Sequence, residues 1–169
     1  LLPRKHEKYI KAIAAVSAFG TLVFSARVWF LYDREQGGFQ FEELHAWIPS
    51  LGVDYYLAVD GFSVVLTFLN ALVFFTGVLS MWSLQERVKE YFAFMLLLVF
   101  GVFGVFLSLD LFGFFFFYEL AVLPMYPLIL VWGSTRKEYA AMKLTLYLMG
   151  GSALLFPALV SLYWVADIG

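Results

Sequence analysis

Cysteine is absent from all 169 residues, which excludes structural disulfides, thiolate-ligated zinc and cysteine-ligated iron–sulfur clusters in this chain. Charge is scarce as well: Asp, Glu, Lys and Arg make up 14% of the residues, and 11 basic against 13 acidic side chains leave a net charge of -2. Because the basic residues are dispersed among short connections, no electrostatic footprint for nucleic acid is present. The opening LLPRKHEKYIK has neither an initiator methionine nor the charge, short apolar run and small-residue cleavage site of a signal peptide, so it reads as an internal piece of a longer protein. Phosphate loops, Ser–His–Asp sets, metal-ligand spacings and haem ligand pairs are all missing. The two histidines, His6 and His45, stand singly in connecting segments and read as solvated side chains.

What remains is oil. With 63% hydrophobic and 21% aromatic residues, the chain has too few polar groups to coat a soluble globule, and it reads as an all-α integral membrane protein. Five apolar runs are long enough to cross a hydrocarbon core of about 30 Å. They cover roughly residues 10–32, 61–84, 91–109, 111–132 and 139–166. The third and fourth come from one run of 42 residues, Tyr91 to Trp132, which as a single helix would be about 63 Å long, twice the bilayer. Asp110 is the natural break, since its carboxylate can cap the free N–H groups of the following helix. Pro157 is expected to bend or tilt the fifth span.

Residues 33–60 form one long connection, marked as extramembranous by Gly37-Gly38, Pro49 and six carboxylates. Alternation in LGVDYYLAVD hints at a short strand or hairpin there. Nine basic residues (Arg4, Lys5, Lys8, Lys11, Arg87, Lys89, Arg136, Lys137 and Lys143) fall at one face of the five-span arrangement, and Arg27 and Arg34 at the other. By the positive-inside rule the nine-residue face is cytoplasmic, with the N-terminal end inside, and the long acidic connection and the C-terminal end periplasmic.

Within FFFFYELAVLPMYPLI, residues 114–129, one carboxylic acid sits in the membrane. Glu119 lies nine residues beyond Asp110, about 13 Å along a helix. An ionised carboxylate at that depth is costly without water, a cation or a hydrogen-bond network, so it is a functional candidate by default. Apolar surroundings favour the neutral acid and a nearby cation the anion, and a group held between the two can take up and release protons. The plainer reading is a permanently neutral acid that hydrogen-bonds a neighbouring helix. Pro124 and Pro127 deprive the carbonyls of Leu120 and Leu123 of their intrahelical donors, and freed carbonyls either hold water on a path to Glu119 or mark a packing kink. Lys143, more than about 10 Å from Glu119 by depth, either snorkels to the surface or joins that path through water. Asn70 and Thr67 read as local or inter-helix hydrogen bonds. Phe114 to Phe117 cover every side of a helical turn, and Gly150, Gly151 and Ser152 are expected to permit close helix approach.

The run FFYELAVLPMYPLILVWG, the Asp110-Leu111 pair before it, RKEYAAMKLTLYLMGGS after it and WIPSLGVDYYLAVDGFS upstream resemble the antiporter-like subunits of respiratory complex I, and more narrowly the NADH–quinone oxidoreductase subunit M group. The resemblance covers essentially the whole chain and implies helices two to six of a larger antiporter-like bundle. It maps the family's fifth-helix glutamate onto Glu119, where a lysine of the seventh helix would be its partner; that lysine has no position here. It implies a proton-translocating subunit in the bacterial inner membrane or an organellar inner membrane, beside L-like and N-like sister subunits. It also implies no cofactor or redox centre in this chain, with FMN and iron–sulfur clusters carried by other subunits. Related helices occur in multisubunit cation/proton antiporters and membrane-bound hydrogenases, and a non-pumping structural subunit is the third reading. Mid-membrane polar groups are too sparse to orient a quinone.

Overall fold

In the computed structural model, which describes residues 7–48 and 53–168, apolar periodicity becomes five long helices and one small sheet. Arg4, Lys5, His6 and Pro49 lie outside the described residues. Helix α1 spans Glu7–Leu31, α2 Ser63–Ser80 with a 3₁₀ turn Met81–Ser83, α3 Val88–Leu107, α4 Leu111–Trp132 and α5 Lys137–Ile168. All five have the length and apolarity to cross a membrane. The first is helical from Glu7, the first of the described residues, three positions before the apolar run itself.

Asp110 divides the long run as its chemistry requires. Its Oδ1 accepts from the Gly113 N–H at 2.9 Å, and its backbone is extended where α4 begins. Reciprocal bonds close the turn into α2: the Ser63 N–H donates to Asp60 Oδ1 at 2.6 Å, and the Asp60 N–H donates to Ser63 Oγ at 2.8 Å. The Ser63 N–H holds the Asp60 carboxyl below its ordinary range, against a smaller opposing effect of burial. A depressed carboxyl stabilises the fold fully above its unfolded value near about 3.9, and that contribution is lost as pH falls through the lower folded value. Asp60→Asn should therefore remove part of the drop in thermal midpoint between pH 5 and pH 2 in detergent; an identical drop in both proteins would refute the linkage.

An all-α description is too narrow. Residues 33–60 hold an antiparallel hairpin, β1 Gln40–Ile48 and β2 Val53–Val59, with Leu44 opposite Tyr56 and His45 opposite Tyr55. The alternation around Val53–Val59 pointed to β2. Strand β1 was not visible, because QFEELHAWI presents no clean apolar face and the strand is exposed along nearly its whole length. Tertiary contacts supply what the pattern lacks: the Leu109 N–H donates to the Tyr56 carbonyl at 2.9 Å, and Leu57 bridges Ser108, so the hairpin is bonded to the turn between α3 and α4.

The helices pack in sequence, α1 on α2, α3 on α4 and α4 on α5. Ala14, Ala18, Phe74, Val78, Val88 and Phe92 form one buried cluster among α1, α2 and α3. Lys11 Nζ donates to the carbonyls of Trp82 and Leu84 at 2.8 and 2.6 Å, and Trp132 Nε1 to the Glu86 carbonyl at 2.9 Å. These bonds gather the start of α1, the α2–α3 connection and the end of α4 at one end of the bundle, the basic end; the hairpin, Arg34 and the α3–α4 turn occupy the other.

Candidate functional site

Three faces of α4 have separate tasks. Gly113, Phe117, Ala121 and Pro124 are buried, and Phe117 and Ala121 meet α3 at Gly104 and Gly101. A Cβ on Gly101 would lie 2.7 Å from Ala121 N and 2.8 Å from its Cα, and one on Gly104 would overlap the Phe117 ring. Two glycines one turn apart thus let α4 close onto α3 backbone to backbone. The G-x-x-G spacing was legible in the run from Tyr91 to Trp132, yet its importance shows only once Phe117 and Ala121 stand opposite. A second face meets α5, where Phe115 and Phe156 lie 5.7 Å apart. The phenylalanine run is divided by direction: Phe115 toward α5, Phe117 toward α3, Phe116 toward Trp47, and Phe114 into a hollow shared with Phe39 and Phe62.

Glu119 lies on the side of α4 turned away from α3, about 160° round the helix from Phe117 and Ala121. Its Oε1 is buried and has no hydrogen-bond partner among the described residues. In an antiparallel pair, one turn beyond the Phe115–Phe156 contact brings Glu119 level with Ser152, which is buried and whose hydroxyl donates to the Met149 carbonyl at 3.1 Å.

Lys143 is not brought to Glu119. It sits on an exposed stretch of α5, its Nζ 5.7 Å from the Tyr139 ring and 6.0 Å from the Tyr147 ring. Counted along α5 from Ser152 it is about 13 Å nearer the basic end. The two prolines separate as well. Pro124 is fully buried and belongs to the α3-facing row with Ala121, whereas Pro127 is half-buried and lies between that row and Leu123, which is 64% exposed. Leu120, whose carbonyl Pro124 frees, is half-buried.

Two expectations need correction. Among the described residues, no atom of another part of the chain comes within 4 Å of the position a Cβ would take on Gly150 or Gly151, so they mark an open face of α5 rather than a close approach. Thr67 bonds locally to the Val64 carbonyl at 3.0 Å, but Asn70 Nδ2 is buried without a partner among the described residues. Sequence reasoning also passed over Trp47, whose indole meets Phe112 and Phe116 edge-on at 5.9 and 5.4 Å. Nothing local could have found it, since the hairpin that carries it was only half visible.

Residues 108–168, the stretch holding Asp110, Glu119 and Lys143, match the family described as NADH:quinone oxidoreductase/Mrp antiporter, TM. The NAD(P)H-quinone oxidoreductase chain 4 3 of Picosynechococcus sp. is 36% identical over 165 residues, 96% of this chain and 30% of that protein. The chloroplastic NAD(P)H-quinone oxidoreductase chain 4 of Chara vulgaris is 37% identical over 159 residues, 94% of this chain and 32% of that protein. NADH-quinone oxidoreductase subunit M of Rhodobacter capsulatus is 35% identical over 160 residues, 95% of this chain and 31% of that protein. The chain spans about 30% of the length of the curated relatives it matches. Similar to them along nearly its whole length, it is a multi-pass membrane chain that belongs to the antiporter-like family of quinone oxidoreductase chain 4 and subunit M.

Proposed function

We propose that this chain is part of a proton-translocating membrane subunit of an NADH–quinone oxidoreductase, and that Glu119 is a proton-carrying group within it. The observation that carries the reading is the buried Glu119 Oε1 with no partner among the described residues. A mid-membrane acid whose hydrogen-bonding capacity is left open in this chain is suited to water or to a side chain from elsewhere in the subunit. Electron transfer takes place in other subunits, with their FMN and iron–sulfur clusters, and changes there drive uptake and release at Glu119. L-like and N-like subunits are the proposed neighbours. Of the two freed carbonyls, that of Leu123 lies on the side of Glu119, so the path toward the basic end runs past Leu123 and Pro127; Leu120 and Pro124 are secondary to it. Lys143 marks the basic-end mouth of the path and is linked to Glu119 only through water. Proton uptake by vesicles carrying Glu119→Gln tests the assignment.

A second reading is favoured by the family description itself, which joins quinone oxidoreductases with Mrp antiporters. In a cation/proton antiporter the same acid would exchange protons against a cation, and dependence of transport on sodium would separate the two.

Orientation follows from charge. With the basic end cytoplasmic, a thiol introduced by Glu35→Cys should react with a membrane-impermeant reagent added to the periplasmic side, and one introduced by Ser134→Cys should not. Both positions are exposed, and Glu35 avoids the left-handed backbone at Gly38, φ +70°. The reverse pattern would invert the topology.

A further inference from the structure

The stripe of α4 that carries Glu119 is built differently on its two sides. At about 100° per residue, Phe112, Phe116, Glu119, Leu123 and Pro127 fall within about 80° of one another, a single line along the helix. From Glu119 toward the basic end the line is polar in its backbone, because Pro127 has no N–H to offer the Leu123 carbonyl. From Glu119 toward the hairpin it is aromatic. Phe112 and Phe116 take the two positions above the carboxyl, and Trp47 packs edge-on against both at 5.9 and 5.4 Å. Phe116 continues the stack to Phe117 at 5.6 Å. Each of the three rings is exposed over 37% to 42% of its surface, yet the carboxyl oxygen one turn further in is buried.

Trp47 comes from β1, outside the spans, and it is not held there by its own strand. The hairpin is fixed at the head of α4 by the Leu109-to-Tyr56 bond and the Leu57–Ser108 bridge. The indole is thus placed by the same turn that starts the helix bearing Glu119. Protons cross a membrane protein along hydrogen-bonded water or titratable groups, and water needs two to four polar partners to stay. The benzene rings of Phe112 and Phe116 offer none, and the edge-on indole packs against both of them.

We propose that Trp47, with Phe112 and Phe116, forms an aromatic plug that bars water at the hairpin end from Glu119, so that Glu119 exchanges protons only with the basic end. Trp47 is a positioning residue: it carries no proton, and it acts by excluding water. The significance of the plug rests on the reading of Glu119 given above, but its existence does not.

The test uses assembled complex in membrane vesicles of both orientations, with Glu119→Cys as the reporter and the Glu35→Cys thiol identifying the hairpin side. The subunit without an introduced cysteine serves as background. With Trp47 in place, an impermeant thiol reagent on the hairpin side should label the Glu119→Cys protein at the background rate. Adding Trp47→Ala should raise labelling at least about tenfold, and Trp47→Phe, which keeps a ring, should return it close to background. Fast labelling with Trp47 present, or no change on its removal, would overturn the plug. Should the Trp47→Ala complex fail to assemble, Phe116→Leu opens the same contact without touching the hairpin; faster labelling is expected, and an unchanged rate would overturn the proposal. Because labelling does not depend on pumping, the plug and the proton-carrying role of Glu119 can fail separately.

Discussion

Glu119→Gln should leave the complex assembled while lowering proton translocation at least about tenfold, the scale expected when a positioned proton-transfer group is lost. Glutamine has the size and shape of the acid and keeps a carbonyl and an amide, so packing between α4 and α5 is preserved. Among the described residues, Glu119 Oε1 makes no hydrogen bond that the substitution could break. The stability change should therefore stay within the usual range for a substitution that creates no cavity or strain, below about 1 kcal/mol. Only the titratable proton disappears. If pumping is tightly coupled, NADH-driven quinone reduction should fall in parallel. Glu119→Asp keeps the acid one methylene further back and should retain part of the activity. Proton uptake in reconstituted vesicles at equal enzyme content is the measurement, and normal uptake by the Gln variant would leave Glu119 a neutral packing residue.

Gly101→Val should remove most of the folded chain from the membrane. The added Cβ alone would stand 2.7 Å from Ala121 N and 2.8 Å from Ala121 Cα, and backbone cannot turn aside as a flexible side chain can. Relief requires α3 and α4 to separate along their length, which would also draw Phe117 away from Gly104 and shift Glu119, two residues from Ala121. Overpacking of this kind costs about 1–3 kcal/mol for added methylenes and more where the obstacle is rigid, a large fraction of the total stability of a domain. Gly150→Ala is the contrasting change. With nothing from another part of the chain within 4 Å of its Cβ position among the described residues, it should be neutral or stabilising by up to about 1 kcal/mol through helix propensity. Equal thermal midpoints and equal membrane abundance for the two variants would remove the α3–α4 glycine contact from the account of the fold.

Composition and hydrophobic length by themselves determined that this is a membrane chain with five helices, because a bilayer accepts only backbone whose hydrogen bonds are closed within a helix or a barrel. The break at Asp110 was legible for a similar reason: one residue both ends the apolar run and supplies the acceptor that a new helix needs. Glu119 was legible as a candidate because a carboxyl group among phenylalanines and leucines is costly wherever its neighbours lie.

The neighbours themselves were decided by tertiary structure. Gly101 and Gly104 matter because Phe117 and Ala121 stand opposite them, whereas Gly150 and Gly151, no less conspicuous in the sequence, face open space. Pro124 and Pro127 look equivalent in the chain, but packing buries Pro124 fully against the α3 side and leaves Pro127, about 60° further round the helix, only half-buried. Strand β1 has no apolar alternation of its own; its register comes from β2, which is bonded to the α3–α4 turn. That long-range pairing brings Trp47 to Phe112 and Phe116. Local sequence specifies how often a chain is apolar and where its hydrogen bonds must close, while the partner of each face depends on residues far along the chain that only packing brings together.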